Sequence, residues 1–239
     1  MRLDCFLSRN TDCSRKSVKK YILQSKVKIN GTVCLDVSYK IKEDDVISLN
    51  GKVIDNIKNH VIALNKPENY ISSMVDERYP SLMRLIDSKY HKTYRLVGRL
   101  DYDTTGLIIL TNDGELTNLL IHPKNCVDKV YVAKVKGLVG KKEISALTNG
   151  VYIDGVKTSK AKARIKKYDK KTDTSIVELT IHEGKNHQVK KMFEAIGYNV
   201  LKLKRERIAF LDLTGLKSGE YRILNPKEVK KLYSLVVNR

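Results

Sequence analysis

The chain has 239 residues, with 46 Lys and Arg against 27 Asp and Glu, a formal charge of +19 and a pI near 9.7. That excess points to a polyanionic partner and away from an ordinary small-metabolite enzyme; no apolar run approaches the roughly 20 residues of a spanning helix, so a membrane partner is not expected. A hydrophobic content of 41% is enough for a real core, in one large domain or a small one followed by a larger one.

Met1-Arg2-Leu3-Asp4 begins like a folded element, without the apolar region of a signal peptide, which makes a cytoplasmic location the expectation. Leu3, Phe6 and Leu7 recur at helical spacing over residues 3 to 10. Ser14 is placed to cap a second helix, in which Val18, Tyr21 and Ile22 repeat that spacing. The other face of this helix carries Arg15, Lys16, Lys19 and Lys20, with no acidic residue between Ser14 and Lys28. An uncompensated basic face of this kind is a footprint for phosphate. Val27 to Val33 alternates around Asn30-Gly31 and predicts a hairpin, and Val46 to Leu49 leads into a second Asn-Gly turn at residues 50 and 51.

Residues 53 to 60 are polar and lack periodicity, so the chain divides near residue 58, into domains 1–58 and 61–239. His60 to Lys66 reads as a buried strand stopped by Pro67. Further strands are expected at Tyr131 to Val135, Ala161 to Tyr168 and Ile176 to His182, and helices at Lys141 to Leu147 and His187 to Ile196. The regular alternation of a doubly wound fold is missing. An α+β fold with a mixed, largely antiparallel sheet fits better. Cys5, Cys13, Cys34 and Cys126 form no Cys-x-x-Cys pair and the five histidines are dispersed, so neither a disulfide framework nor a metal is expected.

Two segments carry candidate chemistry. Gly98-Arg99-Leu100-Asp101-Tyr102-Asp103-Thr104-Thr105-Gly106-Leu107 brackets an acidic side chain between two glycines just before an apolar run, where a carboxylate is both exposed and aimed. Glu183-Gly184-Lys185-Asn186-His187-Gln188-Val189-Lys190-Lys191-Met192-Phe193 starts a helix whose first turn is cationic. Cations there oppose the helix dipole, so a compensating anion is expected, either RNA phosphate or the carboxylate of the first segment.

The first segment resembles the signature of the RsuA/RluB branch of RNA pseudouridine synthases. The likeness continues in family order through Lys129-Val130-Tyr131, the segment around Lys190, and Leu201 to Ile208 followed by Gly219-Glu220-Tyr221-Arg222. Upstream, Arg2-Leu3-Asp4, Ser14-Arg15, Val27-x-Ile29-Asn30-Gly31 and Asp45-x-Ile47 are similar to the S4 RNA-binding domain. The resemblance implies an S4-like domain joined to a pseudouridine synthase domain with a cleft across a mixed sheet. It implies Asp101 as the catalytic carboxylate, Tyr131 packed on the target base, Lys190 paired with Asp101, and Leu203 lining the base pocket. Arg99 either fills the place left by the flipped base, holds a phosphate or makes a structural salt bridge. The chain departs from the common pattern at Asn69 and Ala209 (often glycine), Tyr221 (often tryptophan) and Lys190 (often arginine), the last losing bidentate geometry.

Uridine isomerisation breaks the N1 glycosidic bond, rotates the base and rejoins it through C5 without net redox change, so no cofactor is implied. Asp101 either attacks C1′ or removes the C2′ proton. His187 to Lys190 and Arg205 to Ile208 look nearer to the small-subunit enzymes, giving as expected partner 16S rRNA, or a small-subunit assembly intermediate, acted on at one uridine by a monomer. The alternatives are 23S rRNA within the same family, or a non-enzymatic S4-domain RNA-binding or ribosome-assembly factor.

Overall fold

The computed structural model describes residues 1–56, 59–74, 76–86 and 93–237. Helices α1 (Leu3–Asn10) and α2 (Arg15–Leu23) precede strands β1 (Val27–Ile29), β2 (Thr32–Val33), β3 (Ile47–Leu49) and β4 (Lys52–Val53). These strands form an antiparallel sheet in the order β2-β1-β3-β4. The Ser14 hydroxyl accepts the Ser17 N–H at 3.1 Å and caps α2. Both residues of each Asn-Gly pair have positive φ, 51° and 82° at Asn30 and Gly31, 50° and 78° at Asn50 and Gly51, the conformation of a tight hairpin turn. Leu3, Leu7, Val18, Ile22, Val27 and Ile47 close this small core.

The second unit is built on an eight-stranded sheet. Its strands are β5 (Val61–Lys66), β6 (Arg95–Val97), β7 (Thr104–Thr111), β8 (Lys129–Lys136), β11 (Lys162–Asp169), β12 (Thr174–Ile181), β13 (Val200–Ile208) and β14 (Tyr221–Ile223). The order is β11-β12-β8-β13-β7-β5-β14, with β6 also on β7. Among the described strands, only β13 and β7 pair in parallel. A separate hairpin joins β9 (Tyr152–Ile153) to β10 (Val156–Lys157). The helices are α3 (Gly114–Ile121), α4 (Lys141–Asn149), α5 (Gln188–Glu194) and α6 (Pro226–Val237).

The continuous apolar runs of β5 and β7 follow from burial on both sides of the sheet. Ile62, Leu64, Ile108 and Leu110 join a core with Leu147 of α4 and Met192 and Phe193 of α5. Val61, Ala63, Leu107 and Ile109 face a second core with Leu116 and Leu120 of α3 and Leu232 of α6. The expected division falls partly on residues 57 and 58, which lie outside the described residues. On either side of it, Arg9 donates to Asn56 at 2.7 Å and Asn59 donates to Asp113 at 2.8 Å. Among the described residues, no helix is long and apolar enough to cross a membrane.

Candidate active site

The Asp101 loop owes its shape to long-range anchors. Gly98 has φ 76°, and the Ser72 hydroxyl donates to the Leu100 carbonyl at 2.7 Å while accepting the Leu100 N–H at 3.0 Å. Beneath the loop lies the fully buried Lys66, whose ammonium donates to the carbonyls of Thr104 at 2.8 Å, Pro67 at 3.1 Å and Tyr102 at 3.3 Å. Burial lowers the Lys66 pKa to about 8, although Asp103, Asp101 and Glu68 oppose the shift. The Thr104 N–H closes the turn on the Asp101 carbonyl at 3.1 Å.

Thus held, the Asp101 carboxylate meets two cationic or potentially cationic groups from the start of α5. His187 Nε2 is 3.4 Å from one oxygen and Lys190 Nζ is 3.4 Å from the other. The expected pairing of Lys190 with Asp101 is therefore present, but it is the longer of two. Lys190 bonds Asp103 at 2.6 and 2.8 Å. Burial alone would lower the Lys190 pKa; its bond to Asp103 and the charges of Asp101 and Asp103 raise it instead. Burial likewise opposes ionisation of Asp103, and the bond and charge of Lys190 outweigh it, so that carboxyl lies below its usual range. The compensating anion for the cationic first turn is thus a pair of carboxylates. His187 is not helical, as expected from its sequence, but left-handed with φ 51°, and α5 starts at Gln188. Buried Gln188 fixes that turn by accepting the Lys185 N–H at 2.8 Å and donating to Glu183.

A cavity of about 120 Å³ opens beside this cluster, lined among others by Arg99, Asp101, Tyr131 and Leu203. Arg99 is exposed at this wall and Tyr131 is nearly buried. Arg15, Lys16, Lys19 and Lys20 lie elsewhere, exposed along α2, with Arg15 donating to the Cys5 sulfur. Ala209, where glycine is common, adopts φ 52°. Sequence reasoning missed Lys66, Lys129, Thr104 and Arg205 as parts of the site. A strand's two-residue period was the available signal: Lys129 shares a face with Tyr131, and Arg205 with Leu203. Among the described residues, no group of His, Cys, Asp and Glu is placed to hold a metal ion.

Replacing Lys190 by alanine leaves two facing carboxylates without their shared cation. A loss of about 10- to 100-fold in single-turnover rate is expected, equivalent to one to two pKa units of lost interaction, with RNA affinity retained. A loss of affinity at unchanged rate would instead make Lys190 a phosphate contact.

Comparison with known proteins agrees with this architecture. Residues 60–195 match the RNA pseudouridylate synthase family, and residues 1–47 match the S4 domain. The chain is 43% identical to the ribosomal large subunit pseudouridine synthase B of Bacillus subtilis, over 98% of this chain and 96% of that protein. It is 36% identical to the ribosomal small subunit pseudouridine synthase A of Haemophilus influenzae, over 97% and 99% of the two chains. A solved pseudouridylate synthase superposes with a TM-score of 0.69 at 34% identity, covering 97% of this chain and 99% of that one. With an S4 domain ahead of a synthase domain, and relatives matched along nearly the whole chain, the protein belongs to the RsuA/RluB family of RNA pseudouridine synthases.

Proposed function

We propose that the chain isomerises one uridine of ribosomal RNA, with Asp101 as the catalytic carboxylate. The observation that carries this reading is the anchored carboxylate beside a cavity lined by Tyr131 and Leu203, with Lys190 and His187 at its two oxygens. The target nucleotide leaves its stack at a cost of a few kcal/mol, and stacking on Tyr131 returns about 1–3 kcal/mol of it. Asp101 then attacks C1′ or takes the C2′ proton, and Arg99 at the cavity wall contacts the surrounding RNA. Residues 1–58 form the RNA-binding domain, where Arg15, Lys16, Lys19 and Lys20 neutralise phosphates, and 61–239 form the catalytic domain.

The higher identity to the large-subunit enzyme, 43% against 36%, favours large-subunit RNA. The 16S uridine is the second reading; it rests on the segments His187 to Lys190 and Arg205 to Ile208. Several of those side chains surround the carboxylate and cavity, where the shared reaction constrains them whichever RNA is bound. Folded RNA is read through shape and splayed bases, so fragments retaining structure are the better substrates. Separate small- and large-subunit RNAs are incubated with the protein, and pseudouridine is then mapped chemically. Modification confined to large-subunit RNA is the expected result; modification confined to 16S rRNA reverses the assignment.

A further inference from the structure

Lys129, Arg205 and Thr104 line the cavity, yet none of their side chains bonds the Asp101 carboxylate among the described residues. Strand geometry puts the two cations on one wall. Lys129 and Tyr131 are two residues apart on β8, and Arg205 stands opposite Tyr131 in the β8–β13 ladder, with side chains of the same face within reach of each other.

Lys129 donates to the carbonyls of Val127 at 3.1 Å and His182 at 3.4 Å. An ammonium has three N–H groups, so among the described residues one is left over. Arg205, only 3% exposed, donates from Nε to the Leu107 carbonyl at 2.7 Å and from Nη1 to the Tyr131 hydroxyl at 3.4 Å. Among the described residues, its Nη2 and the Thr104 hydroxyl are buried without a hydrogen-bond partner. Buried polar atoms without partners are rare and costly. Here two of them belong to residues lining one cavity.

Lysine and arginine have donors and no acceptor. This wall therefore suits a ligand that presents acceptors, and most of all one that becomes anionic during reaction. Uracil presents carbonyl oxygens at C2 and C4, whereas cytosine carries an amino donor at C4 and adenine has no carbonyl. When N1–C1′ breaks, its electron pair stays on the base and the negative charge spreads onto those oxygens.

We propose that Lys129, backed by Arg205, holds a carbonyl oxygen of the flipped uracil and carries the charge the base gains as the glycosidic bond breaks. The inference rests on the reading that Asp101 acts at this cavity. It holds for either route. Attack by Asp101 forms a C1′–O bond and expels the base with the N1 pair. Removal of the C2′ proton turns that C–H pair into a C1′=C2′ bond and expels the same anion. On the first route C5 bonds C1′ as the C1′–O bond to Asp101 breaks; on the second the C2′ proton is returned and C5 bonds C1′. In both, the C5 proton then leaves and N1 takes up a proton, which gives the neutral ring. Burial, followed by the charge of Arg205, lowers the Lys129 pKa to about 8 against the opposing effects of Asp128 and Cys126. The ammonium is thus still charged at neutral pH and shares its proton more readily than an ordinary lysine.

A lysine that merely ties Val127 to His182 makes a different prediction from one that supports a leaving group. The test uses the full-length protein and a structured ribosomal RNA fragment with either uridine or 5-fluorouridine at the target, under single-turnover conditions, following loss of the parent nucleoside. Fluorine withdraws electron density, so the fluorinated base needs less stabilisation as it departs. Lys129→Met is expected to lose about 10²–10³-fold on uridine, the range for removing a donor to a developing oxyanion. On 5-fluorouridine the loss should be at least several-fold smaller, with RNA affinity unchanged. Equal losses on both bases, or no loss on uridine, would overturn the proposal. Should Lys129→Met fail to fold, Lys129→Gln, which keeps a donor without charge, is read the same way. Parent protein that makes no pseudouridine in either ribosomal RNA would bring down the site reading as well; an active parent with an unaffected variant would sink only the role of Lys129.

Discussion

Asp101→Asn is expected to abolish pseudouridine formation, lowering the single-turnover rate by at least about 10³-fold, the scale of losing a positioned carboxylate base or nucleophile. Either route needs a charged oxygen at this position, and an amide supplies none. The substitution keeps the side-chain shape, and the loop's anchors do not involve the carboxylate. Ser72 holds the Leu100 backbone, and Lys66 holds the carbonyls of Pro67, Tyr102 and Thr104. Lys190 keeps its closer partner, Asp103. RNA affinity should stay within about twofold or rise slightly, because a negative charge is removed from a protein that attracts phosphate. Mapping of the target uridine together with a binding isotherm separates the two quantities. Turnover near the parent rate would remove Asp101 from the chemistry.

What the sequence revealed of this site follows the range of the interactions involved. The Gly-flanked Asp101 loop, the Asn-Gly turns and the apolar run of β5 are local, and each is legible in a few consecutive residues. The order of the sheet is not: β7 takes a parallel partner about a hundred residues downstream, and no local pattern specifies that pairing. Lys66 reads as the end of a buried strand, and only the folded chain brings the Tyr102 and Thr104 carbonyls onto its ammonium. Lys190 was legible as a cation near a carboxylate, but which of Asp101 and Asp103 it favours depends on the turn between them. His187 satisfies a helical pattern, yet the turn held by Gln188 and Glu183 makes it left-handed. Arg205 sits in the basic segment 202–207, whose charges look equally solvated in sequence; its burial depends on β8 and β7 enclosing it from both sides.

Gly106→Ala should be the most damaging single substitution in the scaffold behind the site. Gly106 has φ 106°, a conformation that L side chains rarely adopt, and a Cβ built there would stand 2.2 Å from the Arg205 carbonyl oxygen and 2.8 Å from its nitrogen. Neither strand is free to retreat. Gly106 is in register with Arg205 on one side and with Lys66 of β5 on the other. Backbone strain of about 1–3 kcal/mol and overpacking of a similar or larger size add to about 2–6 kcal/mol. At about 2–4 °C per kcal/mol for a chain of this size, Tm should fall by about 5–20 °C. Activity should fall further than stability at temperatures where the variant remains folded, because the β7–β13 pairing sets Thr104 and the Asp101 turn beside Leu203 and Arg205. Gly98→Ala is the control. Its φ of 76° carries strain, but no atom of the described residues lies within 4 Å of the added carbon, so only the conformational part of the penalty is expected. Thermal melts and single-turnover rates of the two variants side by side decide the matter, and equal penalties would show that the contact with β13 yields without cost.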